Sequence, residues 1–234
     1  MIAVITGATK GIGKAISEAL ADRGFELFIT SRNPRDLEEL KDELLAKYTT
    51  QKVDFYAADL SVKKDRQELI NQVNKSCSVL DIVVNNAGVF LTSESMLTEK
   101  EDIMRESMEV NLFAPYDLTR GLIPLMKESK KPHIVNICSV ASLMARSGAA
   151  SYSVSKHAFL GFSRNLRAEL LPQKIKVTSL LPGSTWSNSW AGADLPRERI
   201  MEPEDVAKVV LCAIDLSPSA VMEEVVFGPM EGEL

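Results

Sequence analysis

Ile2-Ala3-Val4-Ile5-Thr6-Gly7-Ala8-Thr9-Lys10-Gly11-Ile12-Gly13 is the stretch whose reading decides the fold. Ile2 to Ile5 is a short continuous apolar run, the pattern of a strand buried on both faces. Three glycines follow, at 7, 11 and 13. From Lys14 to Asp22 the spacing is helical, with Ile12, Ala15, Ile16, Ala19 and Leu20 on one stripe. A strand, a glycine turn and a helix opening on glycine together make a phosphate site. The glycines let the backbone approach a pyrophosphate, and the helix start offers free N–H groups and a positive dipole end. The spacing departs from the usual G-x-G-x-x-G pattern.

Outward from this unit, strands and helices alternate. Strands are expected at Phe25–Thr30, Val53–Ala57, Leu80–Val84, Pro132–Ser139, Lys174–Leu181 and Val225–Phe227. Helices are expected from Pro34 to about Lys47, Ser61 to Cys77, Glu101 to Lys127, Ala149 to Leu171 and Glu204 to Leu216. Asn33 and Ser61 read as helix caps, Thr98-Glu99-Lys100-Glu101 as a capping box, and Pro115 as a bend. The alternation, without a linker or low-complexity run, predicts one α/β domain over residues 1–234. Its architecture is a doubly wound parallel sheet of Rossmann type, with helices on both faces. A ligand then belongs at the carboxyl ends of the strands.

The second strand ends in Ser31-Arg32-Asn33. Many NAD sites carry an acidic residue near here for the ribose 2′-hydroxyl. This chain has Arg32 instead, with Lys10 in the glycine turn, and two cations suit the 2′-phosphate of NADP(H). Tyr152 and Lys156 lie four apart in the helix from Ala149, on one face. A cation held beside a phenol favours the phenolate, which makes tyrosine usable in acid–base chemistry.

Composition sets the outer bounds. The 234 residues are 45% hydrophobic and 25% charged, with a net charge of −5, which is ordinary globular composition. The acidic balance argues against nucleic acid as a partner. Cys77, Cys138 and Cys212 lack metal-ligand spacing, as do His133 and His157, so no metal is expected. The chain opens on a strand without a signal sequence or a bilayer-length apolar run, and a cytoplasmic enzyme without membrane partners is expected.

In order, Thr6-Gly7-x-x-x-Gly11-x-Gly13, Asp59, Asn85-Asn86-Ala87-Gly88, Asn111, Ser139, Tyr152-x-x-x-Lys156 and Pro182-Gly183 resemble the short-chain dehydrogenase/reductase family, over nearly the whole chain. The resemblance implies Tyr152 as general acid or base, Ser139 as hydrogen-bond donor to the substrate oxygen, and Lys156 on the nicotinamide ribose. It implies Asn111 as holder of a relay water. It further implies Gly11, Ile12 and Gly13 on the pyrophosphate, Asp59 and Leu60 on the adenine, and Asn86 and Gly88 at the adenosine ribose. Gly7, Thr9, Ala87, Pro182 and Gly183 complete the cofactor set, with Thr185 and Ser187 replacing the family's usual nicotinamide-amide contacts. The implied activity is NADPH-dependent reduction of a ketone or aldehyde, by a homodimer or homotetramer. An NAD-linked alcohol dehydrogenase and a non-catalytic dinucleotide sensor are the alternatives. Substrate walls are expected from Phe90-Leu91, Leu143-Met144-Ala145 and Trp186 to Trp190. The segment Phe227–Leu234 lacks the family's frequent glycine pair and resembles the sepiapterin-reductase-like branch. An acidic group there could pair with a nitrogen-rich ring, but the segment reads first as a frayed acidic tail.

Overall fold

The computed structural model describes residues 1–93, 95–187, 190 and 192–234. Seven strands form one parallel sheet: β1 Ile2–Thr6, β2 Glu26–Ser31, β3 Val53–Ala57, β4 Ile82–Asn85, β5 His133–Ile137, β6 Lys176–Pro182 and β7 Glu224–Phe227. The spatial order is β3-β2-β1-β4-β5-β6-β7, with every neighbouring pair parallel. The order reverses direction between β1 and β4, and that switch opens a crevice at the strands' carboxyl ends.

The helices are α1 Gly11–Asp22, α2 Pro34–Lys47, α3 Lys63–Ser76, α4 Glu101–Met108, α5 Ala114–Met126, α6 Ala150–Leu170 and α7 Pro203–Asp215. Alternation along the strands sorts the core into two layers. Ala3, Ile5, Ile82 and Val84 face α1, α2 and α7, where Ile16, Leu20, Leu40 and Val210 meet them. Val4, Val83 and Ile134 face α3, α5 and α6, against Leu69, Leu118, Leu122 and Leu166. Each such buried side chain contributes roughly 1.5–3 kcal/mol relative to exposure, so both sheet faces must be covered.

Several local expectations are corrected. Ser61 does not cap α3: Val62 holds that position, and the Ser61 hydroxyl donates to Asp59 Oδ1 at 2.7 Å. Thr98 does not cap α4. Its hydroxyl donates to the Ser95 carbonyl at 3.2 Å, while Glu99 Oε2 accepts from Ser151 Oγ. The irregularity expected at Pro115 lies just before it, as a π turn over Glu109–Phe113, and Pro115 opens α5. The cause is local: proline has no N–H to give the carbonyl of residue 111, and its ring crowds that carbonyl. β4 starts two residues later than expected and ends one later, β5 stops at Ile137, and β6 begins after Lys174, which takes a left-handed φ of 57°. Asn33 does cap α2, accepting from the Arg35 N–H at 3.0 Å.

Candidate active site and dinucleotide cleft

The carboxyl ends of the strands surround a cleft of about 480 Å³. One end is built by the turn between β1 and α1. Gly7 and Gly11 have φ of +64° and +52°, which glycine adopts without strain. Gly13 carries no positive φ, but a Cβ there would collide with the Gly7 carbonyl and the Asn86 amide. Among the described residues no side chain caps α1, so its first N–H groups are left for a ligand.

The turn is held from β4. Thr6 Oγ1 accepts from the N–H groups of Asn86 and Ala87 at 3.0 and 2.9 Å. Asn86 Nδ2 donates to the carbonyls of Thr6 and Gly7 at 2.8 and 3.2 Å. The Asn86 side chain thus fixes the glycine turn, while Ala87 and Gly88 line the cleft. Thr9, Lys10, Ile12, Arg32, Asp59 and Leu60 line the same end. Asp59 Oδ1 accepts from both the Ser61 hydroxyl and N–H, which hold its carboxyl below the usual range. Lys10 pairs with Asp36 at 3.2 Å, so an acid absent from the sequence reading stands beside the two cations. Asp36 sits on α2, five residues beyond the end of β2, and only the fold turns it inward.

The other end collects Ser139, Tyr152, Lys156, Pro182, Gly183, Ser184 and Thr185. Ser139 follows β5 and is 8% exposed. Its Oγ accepts from the Ala141 N–H at 3.1 Å, which leaves the hydroxyl proton for another acceptor. Lys156 is buried and donates from Nζ to the Ile137 carbonyl at 3.0 Å, with Nζ 5.9 Å from the Tyr152 ring centre. Phe90 meets the Tyr152 ring edge-on, with ring centres 4.8 Å apart. Asn111, in the π turn, accepts from the Val89 N–H at 2.8 Å. Its amide donates to the Val89 carbonyl at 3.0 Å and to Ser155 Oγ at 2.8 Å. Ser187 lies against the glycine turn: a Cβ on Gly11 would stand 3.2 Å from its own Cβ.

The substrate wall differs from expectation. Phe90 and Trp190 line the cleft, but Leu91, Leu143, Met144, Ala145 and Trp186 do not. Leu143 and Met144 are about half exposed, at 47% and 51%. Trp186 packs within its own loop, donating from Nε1 to the Arg197 carbonyl at 2.7 Å beneath the Arg197 guanidinium. Asn188 and Ser189, inside the expected Trp186–Trp190 wall, lie outside the described residues. Glu106, Val110 and Arg146 line the cleft unforeseen. Glu106 and Val110 flank the π turn's start, and Arg146 lies on the loop between Ser139 and Tyr152.

A glycine-cradled turn and a Ser–Tyr–Lys set thus share one cleft. The short chain dehydrogenase family model matches residues 1–195. This chain belongs to the short-chain dehydrogenase family. It is an NAD(P)-dependent oxidoreductase of that family. An uncharacterised oxidoreductase of Staphylococcus aureus (strain MRSA252) is 29% identical over 230 residues, covering 98% of this chain and 97% of the relative. A metagenomic short-chain oxidoreductase solved in complex with NADP is 30% identical with a TM-score of 0.84, covering 97% of this chain and 95% of that one. An alcohol dehydrogenase of the archaeon Thermococcus sibiricus, complexed with 5-hydroxy-NADP, is 25% identical with a TM-score of 0.90, covering 100% and 98%. Among the described residues no helix of this family member is long and apolar enough to cross a membrane.

Proposed function

We propose that this protein is an NADPH-dependent carbonyl reductase acting on a small ketone or aldehyde, with residues 1–234 forming one dinucleotide-binding oxidoreductase domain. The observation that carries this reading is the single cleft that holds the glycine turn, Lys10 and Arg32 at one end and Ser139, Tyr152 and Lys156 at the other. The cofactor fits the residues present. Glycines at 7, 11 and 13 and the uncapped start of α1 form a phosphate cradle, and Arg32 and Lys10 supply charge for a 2′-phosphate. The family relatives solved with NADP support the same cofactor.

Bound there, NADPH supplies the hydride that reaches the carbonyl carbon. Ser139 donates its hydroxyl proton in a hydrogen bond to the carbonyl oxygen, and Tyr152 delivers a proton to that oxygen. Lys156 holds the ribose hydroxyls and keeps a positive charge near the phenol. Asn111 fixes the Val89 backbone against Ser155 and holds a relay water at its carbonyl, which Pro115 denies an α-helical bond. Thr185 and Ser187 serve the nicotinamide amide. A simple ketone, a 3-oxoacyl thioester and a pterin side-chain carbonyl are the substrates to screen first. Phe113, Tyr116 and Val154 are 43%, 37% and 48% exposed on the π turn, α5 and α6, which supports a homodimer or homotetramer.

An NAD-linked alcohol dehydrogenase is the rival, favoured by one observation: Asp36 neutralises part of the Lys10 charge at the ribose end. Titration with NADPH and NADH under identical conditions, followed by nicotinamide fluorescence, separates the two. Tighter NADPH binding supports the reductase. Tighter NADH binding supports the rival, and no binding of either removes both. For the chemistry, Tyr152→Phe is expected to keep NADPH binding and lose nearly all turnover; substantial remaining activity removes Tyr152 from the acid role.

A further inference from the structure

The segment after β7 is not frayed: it folds back over the ends of β6 and β7. Glu233 Oε2 accepts both the backbone N–H and the hydroxyl of Ser184, each at 3.0 Å. Its other oxygen fills space that two glycines leave open. A Cβ at Gly183 would fall onto Oε1, and one at Gly228 would stand 2.7 Å from it. Neither glycine has a positive φ, so both are needed for room rather than for backbone conformation. Arg146 approaches Glu233 Oε2 at 3.7 Å and also donates to the Leu234 carbonyl. Arg199 donates to the Gly232 carbonyl at 2.9 Å.

Holding the long Glu233 side chain in one rotamer costs entropy, and its contacts converge on the backbone between Gly183 and Thr185. That backbone leaves the sheet after Pro182; the Gly183 N–H donates to the Phe227 carbonyl at 2.8 Å, and the Ser184 carbonyl accepts from the Met201 N–H at 3.1 Å. Two hydrogen bonds donated to one carboxylate oxygen define the orientation of the next residue, Ser184. Ser184 and Thr185 line the cleft on the side of Tyr152, and so does Arg146.

We propose that Glu233 is a positioning residue for the nicotinamide end of the cofactor site. It sets the Gly183–Thr185 backbone through Ser184 and, through Arg146, ties it to the loop between Ser139 and Tyr152. The proposal rests on the NADP(H) reading of the cleft. The carboxylate acts from behind the wall and is occupied by Ser184, unlike a group offered to a substrate ring.

The test uses the full chain and two ligands, NADPH and 2′-phosphoadenosine 5′-diphosphoribose, which has the adenosine end and no nicotinamide. Glu233→Ala is expected to weaken NADPH binding about tenfold, the size of a lost hydrogen bond to a charged group, and to leave the fragment within about twofold. Glu233→Gln keeps an oxygen for Ser184 and is expected to restore most of the NADPH affinity. Glu231→Ala, on an exposed neighbour, is expected to change neither ligand. Equal weakening of both ligands by Glu233→Ala, or no weakening of NADPH, overturns the proposal. Should Glu233→Ala not fold, Ser184→Ala removes one of the two bonds, and the same selective loss of NADPH is expected at about threefold. Wild-type protein that binds neither NADPH nor the fragment refutes the cofactor reading itself, a different result from either failure above.

Discussion

Asn111 Nδ2 stands 2.8 Å from Ser155 Oγ, and Ser155 in turn donates to the Tyr152 carbonyl at 2.7 Å. The π turn is thereby tied to the first turn of the helix that carries Tyr152 and Lys156. The same asparagine clamps Val89 by both its N–H and its carbonyl. At 1% exposure, Asn111 has no access to bulk water to replace these three bonds. Asn111→Ala is expected to destabilise the fold by about 3 kcal/mol, near 1 kcal/mol per bond. It is also expected to lower kcat more than it raises the NADPH Kd, because the Val89 and Tyr152 segments shift relative to each other. Urea denaturation and steady-state kinetics on the same preparation check both. An unchanged kcat would leave Asn111 as a purely structural clamp.

Arg32 and Lys10 stand at the same end of the cleft, but their charges are not equivalent. Lys10 is paired with Asp36, and Arg32 is exposed and lowers the Asp59 carboxyl further, after the larger effect of Ser61. Arg32 is therefore the cation that should discriminate a 2′-phosphate from a 2′-hydroxyl. Arg32→Asp removes a charge-assisted bond and adds repulsion, and the NADPH over NADH preference is expected to fall about 100-fold or more. The ratio of the two Kd values, measured at fixed ionic strength, is the readout. A retained strong NADPH preference would shift the discrimination to Lys10 or to the backbone.

The sheet and the dinucleotide end were legible because their signals are local. Continuous apolar runs mark strands buried on both faces, and Gly7, Gly11 and Gly13 lie within one turn of chain. The tail was not legible, because Glu233 meets Ser184 across 49 residues and nothing near either position marks the contact. The same holds for Arg146, whose neighbours Leu143 and Met144 carry the apolar signal that points to a pocket but face solvent instead. The capping box failed for a physical reason: Thr98 spends its hydroxyl on the Ser95 carbonyl, and the helix starts only at Glu101, with Lys100 in the cap position. Pro115 did announce an irregular helix. Its effect acts on the carbonyl four residues earlier, so the distortion appears at Asn111 and not at the proline.

Arg66 is a buried cation behind Leu60, at the Lys10 and Arg32 end of the cleft. Its side chain is 4% exposed, donating to Asp117 at 2.8 Å, Glu109 at 2.9 Å and the Leu60 carbonyl at 2.8 Å. These bonds join α3 to the first residue of the π turn and to α5. Both acids are partly solvated, so their loss is cushioned, but the Leu60 carbonyl is not. Arg66→Ala is expected to cost about 3 kcal/mol in urea denaturation. Lysine offers a point charge without the planar fork and is expected to recover less than half. A cost below about 1 kcal/mol for Arg66→Ala would show that water replaces all three bonds.

His133 sets a pH limit on stability at the amino ends of the strands, away from the cleft. It is buried at the start of β5, with Nε2 2.8 Å from Thr178 Oγ1. Thr178 spends its own proton on the Met222 carbonyl at 2.6 Å, so the hydroxyl oxygen accepts and Nε2 carries the ring proton. Burial, with a smaller contribution from Lys176, lowers the His133 pKa from 6.5 to about 4. Above pH 6.5 the ring is neutral in both folded and unfolded chains and contributes no slope. As pH falls from 6.5 towards 4 the unfolded chain takes up a proton that the folded chain refuses, so stability falls. Between pH 7 and pH 4.5 this one group is expected to remove about 2.5 kcal/mol. Carboxylates held by partners, such as Asp59, lose their contribution at lower pH and are shared by wild type and variant. His133→Gln keeps a donor towards Thr178 and cannot titrate. Its urea midpoint is expected to be lower at pH 7 and to fall less than that of the wild type on acidification. Parallel pH profiles for the two proteins would mean that His133 is protonated in the folded chain as readily as in the unfolded one.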